Sequence, residues 1–135
     1  MQPNSTDLGH FMHPYCVNFF AIAEWMEMDV YSFDYSGFGY SSGSVSEQNI
    51  YMDARAVYDY IRQTRPNHDI ALMGYSIGTA AAIDLASCQP PRLSGVILIA
   101  PFTSGFRLIG GHPTKKQTCC LDPFTKYPPQ SRTIL

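Results

Sequence analysis

A chain of 135 residues, 45% hydrophobic and 15% charged, has the composition of one modest globular domain that can bury a core, and not of a disordered segment. Its net charge of −2 supplies no basic stripe for a nucleic acid and no cationic amphipathic helix for a membrane surface. The longest apolar tracts, "VILIAPF" and "YCVNFFAIAEWM" with its Asn18 and Glu24 interruptions, are too short to span a bilayer. The opening "MQPNSTDLGH" lacks the charged head and apolar stretch of a signal peptide. Cysteines at 16, 88, 119 and 120 form no CxxC and no zinc spacing. They read as the reduced thiols of a cytoplasmic protein, with no metal and no cofactor expected.

In chain order, residues 11 to 27 carry apolar positions at Tyr15, Phe19, Ile22 and Met26, which predicts a helix with Pro14 in its first turn. "DVYSFDYSGFG" predicts a strand over 30–34 closed by glycines. A second helix follows in "SVSEQNIYMDARAVYDYIRQTRP". Ser44 with Glu47 offers a capping box, Ser46 is a rival cap, and Ile50, Ala54, Val57 and Ile61 form the buried stripe up to Pro66. A strand over 69–73, a small-residue helix over 78–86 and a strand over 96–100 complete the pattern. Continuous apolar strands alternating with helices predict a parallel α/β sheet covered on both faces. From about residue 107 onward no element is predicted, so 1–135 reads as a single domain with an irregular tail.

The stretch "DIALMGYSIGTA" places Gly74-Tyr75-Ser76-Ile77-Gly78 between a buried strand and a helix. GxSxG in that setting has a mechanical meaning. The serine occupies a strained turn, so its neighbours must lack Cβ atoms, and the turn lifts the hydroxyl above the carboxyl end of the sheet. The N–H of the following residue, Ile77, then points with the helix N-terminus at a developing oxyanion. The bland alternative is a strand-to-helix turn with two incidental glycines. In "FDYSGFGYSSG", Gly37 and Gly39 are followed by Ser42 where a dinucleotide fingerprint needs glycine, so a tight loop is the better reading, with Asp34 bonding its own backbone.

The stretches "NSTDLG", "YSFDYSGFGYSSG", "SEQNIYMDA", "GYSIGTAAAIDLAS", "PFTSGFR" and "TKKQTCCLDPF" run in consistent order from residue 4 to about 124. On them the chain resembles the α/β-hydrolase superfamily. Within it the chain looks like the domain-17 group of serine hydrolases, which remove palmitate from proteins. The GxSxG pattern is common to the superfamily, whereas "FDYSGFGxSSG" and "PFTSG…TKK" are specific to the group. The resemblance implies Ser76 as nucleophile, Gly74 and Gly78 as its flanking elbow glycines, Ile77 as one oxyanion donor, and the loop at Asn4 and Ser5 as the source of the other. It implies S-acylated proteins as substrates and an acyl groove with Phe38, Tyr40, Phe102 and Phe106 as candidate walls. Tyr75 departs from the group, whose members usually carry glutamine there.

A serine needs a base within hydrogen-bond reach and an acid to orient it, and in this superfamily both follow the serine in the chain. The resemblance implies that they lie on strands beyond about residue 125, and that a strand ending in "HGN" precedes residue 4, where this chain reads Gln2-Pro3-Asn4. An incomplete domain is therefore expected, inactive by itself, with unpaired strand edges or a pairing foreign to the family. The group's lipidated cysteine cluster, which holds members on the cytosolic face of membranes, is likewise not among these residues. His10, His13 and His68 precede Ser76; His112 follows it in a Gly-Pro segment as a weak base candidate, and Asp122 does not match the acid's position. The alternatives left open are a lipid esterase or serine peptidase of the same fold, and a non-catalytic fragment or binding module.

Overall fold

The computed structural model describes residues 1–4, 6–12 and 18–101. Among them, the chain forms a 3-10 turn at His10–Met12, helix α1 (Phe19–Met26), helix α2 (Glu47–Thr64), strand β1 (Ile70–Tyr75), helix α3 (Ile77–Ser87) and strand β2 (Leu93–Ile99). The two strands pair in parallel, with Leu72 opposite Val96 and Tyr75 opposite Ile99. α3 is the crossover that a parallel pair requires. The expected partial α/β fold is present.

Local chemistry sets the helix ends. Asn18, which interrupts the apolar tract, caps α1 by accepting from the Ala21 N–H at 2.9 Å. The helix therefore begins at Phe19 and not near residue 11; Pro14 and Tyr15 lie outside the described residues. Of the rival caps for α2, Ser46 wins: its Oγ accepts from the Asn49 N–H at 3.0 Å. The buried stripe of α2 is Ile50, Ala54, Tyr58 and Ile61, so Tyr58 holds the central place expected for Val57. Its ring lies in the core while its hydroxyl donates to the Pro91 carbonyl at 2.9 Å.

The core lies on one face of the sheet. Leu72, Tyr58, Ala82 and Leu85 make one buried cluster, with Ile70, Leu93 and Leu98 packed against it. Tyr35, Ile50, Ala54 and Ala81 make another. Alanines in α3 let α2 and the sheet approach it closely. Among the described residues the opposite face is not covered as expected, since Tyr75, Ile97 and Ile99 on it remain exposed and α1 contributes no buried residue.

The strand expected over 30–34 is a second correction. Among the described residues, 29–35 are assigned to no helix or strand and join no ladder. The first two residues of the chain link them to β1. The Met1 amine donates to the Met73 carbonyl at 2.9 Å, the Tyr75 N–H donates to the Met1 carbonyl at 3.2 Å, and Gln2 Nε2 donates to the Phe33 carbonyl at 2.6 Å. A strand needs a hydrogen-bonded neighbour, and this segment has a side chain instead.

Candidate active site

β1 delivers the chain to Ser76 at the carboxyl end of the sheet, and α3 leaves from it. Ser76 has φ 51° and ψ −116°, a combination that non-glycine residues occupy only where the surroundings force it. Those surroundings are specific. The Ser76 N–H donates to the Ile99 carbonyl at 2.9 Å, and the Ser76 carbonyl accepts from Thr79 through its N–H at 2.9 Å and its Oγ1 at 2.6 Å. Thr79 is fully buried, which fixes that clamp.

The two glycines serve close approach. A Cβ on Gly74 would lie 2.6 Å from the Gly78 carbonyl oxygen and 2.8 Å from Thr79 Cα. On Gly78 it would lie 2.6 Å from the Met1 carbonyl oxygen and 2.8 Å from that of Gln2. The N-terminal residues therefore run directly over the start of α3. The Ser76 side chain makes no capping bond to α3. Ile77 opens that helix, where the first N–H groups have no intrahelical partner and the dipole favours negative charge.

The structure brings Gly74, Ser76, Ile77 and Gly78 together with the start of the chain. Asn4 is exposed in the turn that follows, and Ser5 is outside the described residues. His10 is exposed and packs edge-on against Phe11. His68 precedes β1, whereas Ser76 follows it, so six residues of strand put them about 20 Å apart. His13, His112 and Asp122 lie outside the described residues. Of the expected acyl walls, Phe38 packs against the core and Tyr40 is fully exposed, while Phe102 and Phe106 are not described.

Asp34 corrects an expectation. Its carboxylate reaches across the fold, accepting from the Leu8 N–H at 2.9 Å and Gln2 Nε2 at 3.1 Å, and its own loop is closed by backbone bonds such as Phe38 N–H to Tyr35 carbonyl at 2.9 Å. Asp53 on α2 fastens the same loop, accepting from Ser36 N–H at 2.7 Å and Ser36 Oγ at 2.9 Å. Both carboxylates are structural ties. Asp53 was invisible in sequence because its partner lies in a loop 17 residues away. At the far end of α3, Arg55 donates to Cys88 Sγ at 3.1 Å and holds that exposed thiol below its usual pKa.

Comparison with known proteins places this arrangement. Residues 10–127 match the family model described as serine aminopeptidase, S33, of the hydrolase 4 family. The chain belongs to this hydrolase family. It is 37% identical over 124 residues to alpha/beta hydrolase domain-containing protein 17B of Xenopus laevis, covering 90% of this chain and 40% of that protein. The same identity holds for the 17C proteins of Mus musculus and Homo sapiens, of which 36% and 35% are covered. The chain thus spans about two fifths of the length of these hydrolase relatives. No solved structure matches. Among the described residues, no helix is long and apolar enough to cross a membrane.

Proposed function

We propose that this chain carries the nucleophile of a serine hydrolase that, in its whole form, removes long acyl chains from protein thiols. The observation that carries the reading is Ser76 at φ 51° between β1 and α3, flanked by two glycines that admit no Cβ. Such a turn presents the hydroxyl at the strand end with a helix N-terminus behind it. In this reading Ser76 Oγ attacks the thioester carbonyl and loses its proton to a base. The Ile77 N–H stabilises the oxyanion, aided by the loop at Asn4 and Ser5. The cysteine thiolate leaves and takes up the proton, and water then hydrolyses the acyl-serine to the fatty acid.

The thioester substrate class follows from the resemblance of "FDYSGFGYSSG" and "PFTSG" to the palmitate-removing group. The name of the matching family, serine aminopeptidase, motivates the second reading, an aminopeptidase on the same elbow. Labelling by a fluorophosphonate probe tests the nucleophile, and label retained in Ser76→Ala removes it. Palmitoyl thioester against aminoacyl arylamide, assayed on a whole relative-length protein, separates the two substrates. For the 135-residue chain alone we expect negligible turnover, because His10 and His68 do not attend Ser76. Clear thioester hydrolysis by it would overturn that expectation and direct attention to His112.

A further inference from the structure

Ser76 and Ile77 share one peptide unit. Its N–H belongs to Ile77 and stabilises the oxyanion in the proposed reaction, while its carbonyl belongs to Ser76. A trans peptide is planar, with C=O and N–H pointing in opposite directions, and the described residues contain no cis bond. Whatever fixes the direction of the Ser76 carbonyl therefore also fixes the direction of the Ile77 N–H.

Thr79 holds that carbonyl twice. Its backbone N–H donates to the Ser76 oxygen at 2.9 Å, as any residue at this place in a helix's tight first turn can. Its Oγ1 adds a second bond at 2.6 Å, which only a hydroxyl at this position supplies. Thr79 is fully buried, so water does not compete for either bond. Gly74 lets it sit there: a Cβ on that glycine would lie 2.8 Å from Thr79 Cα. On the other side of the serine, the Ser76 N–H is tied to the Ile99 carbonyl of β2 at 2.9 Å. The peptide units before and after Ser76 are thus both anchored, and the strained φ of 51° is held between them.

We propose that Thr79 is a positioning residue of the oxyanion hole: its hydroxyl, acting through the Ser76 carbonyl, aims and polarises the Ile77 N–H. Two hydrogen bonds accepted at the oxygen draw electrons toward it and leave the N–H of the same unit a stronger donor. Aim matters as much as strength. A donor stabilises an oxyanion from about 2.7–3.1 Å, so a peptide unit free to rock loses that contact without any side chain moving. Ser76 is the cap residue of α3 but makes no side-chain capping bond, which leaves its hydroxyl to react while Thr79 secures this end of the helix. The inference rests on the reading of Ser76 as nucleophile; it is independent of the acyl chain and of the leaving group.

The test compares the full chain with Thr79→Val, which keeps the volume without the hydroxyl, and Thr79→Ser, which keeps the hydroxyl without the volume. Thr79→Ala, a strong helix former lacking both, serves as a second variant without the hydroxyl. The Ile77 N–H is followed by its residual dipolar coupling and order parameter. An order parameter of about 0.85 is expected in the unaltered chain and in Thr79→Ser, and one nearer 0.6 with a changed coupling in Thr79→Val and Thr79→Ala. The second readout is the rate of fluorophosphonate attachment at alkaline pH. There Ser76 Oγ displaces fluoride from phosphorus, hydroxide takes the serine proton, and the phosphoryl oxygen occupies the oxyanion's place. That rate is expected to fall at least about tenfold in Thr79→Val and to return to within about twofold in Thr79→Ser. A packing role predicts the reverse order, because serine leaves the larger void. That reverse order, an Ile77 N–H unmoved in Thr79→Val, or an unchanged rate despite a displaced N–H would each overturn the proposal. No labelling of the unaltered chain would overturn the nucleophile reading instead, with the Ile77 orientation still deciding for or against Thr79.

Discussion

Ser76 holds a backbone conformation that only its surroundings make tolerable. Sparse φ/ψ states cost on the order of 1–3 kcal/mol for a residue with a Cβ, and glycine is spared most of that. Ser76→Gly is therefore expected to be about 1 kcal/mol more stable than Ser76→Ala in chemical denaturation. Equal stabilities would mean that the turn is not strained. The neighbouring glycines run the other way. Gly74→Ala sets a methyl 2.6 Å from the Gly78 carbonyl oxygen, against backbone that cannot rotate aside. It should lower stability by about 1–3 kcal/mol, as overpacking does, and should also weaken Ser76 labelling by moving the turn. Unchanged melting with unchanged labelling would contradict that geometry.

At the level of elements, α2 offers a clean comparison between two serines. Ser46 Oγ accepts from the Asn49 N–H, whereas Ser44 contributes its carbonyl, which accepts from Asn49 Nδ2 at 2.7 Å. Ser46→Ala should cost about 1 kcal/mol and Ser44→Ala close to nothing; equal losses would mean that both cap. That pair also shows where the sequence was legible. The apolar period of α2 and the runs at Ile70 and Val96 marked real elements, because burial imposes those periods on any fold. The GxSxG turn was legible because Gly74 answers to nearby backbone at Gly78 and Thr79, although the Met1 and Gln2 carbonyls that crowd Gly78 come from distant chain. What could not be read depends on distant chain. Residues 30–34 carry strand chemistry but lack a strand partner. Asp34 bonds to Leu8, and Asp53 to Ser36, across intervals no local pattern reveals. The exposed face of Tyr75, Ile97 and Ile99 is likewise a matter of what packs there, and not of what those residues prefer.

For the molecule as a whole, the seam between β1 and residues 28–33 is where stability should respond to pH. The Met1 amine sits in that seam, and burial lowers it from 8.0 to about 6 in the folded chain. Between those values the unfolded chain binds the proton and the folded chain does not. Stability therefore rises with pH from about 6 to about 8 and flattens above, where the amine is neutral in both states. Below 6 both states are protonated and this contribution is constant at its least favourable. Two pKa units correspond to on the order of 2–3 kcal/mol. Acetylating the Met1 amine removes its titration, so the difference between the acetylated and free chains isolates it from His10, His68 and the carboxylates. Denaturant melts of the two chains across this window should show the free chain gaining stability relative to the acetylated one as pH rises. Parallel pH profiles would mean that the amine is solvated in the folded chain, and that the seam holding it is open to water.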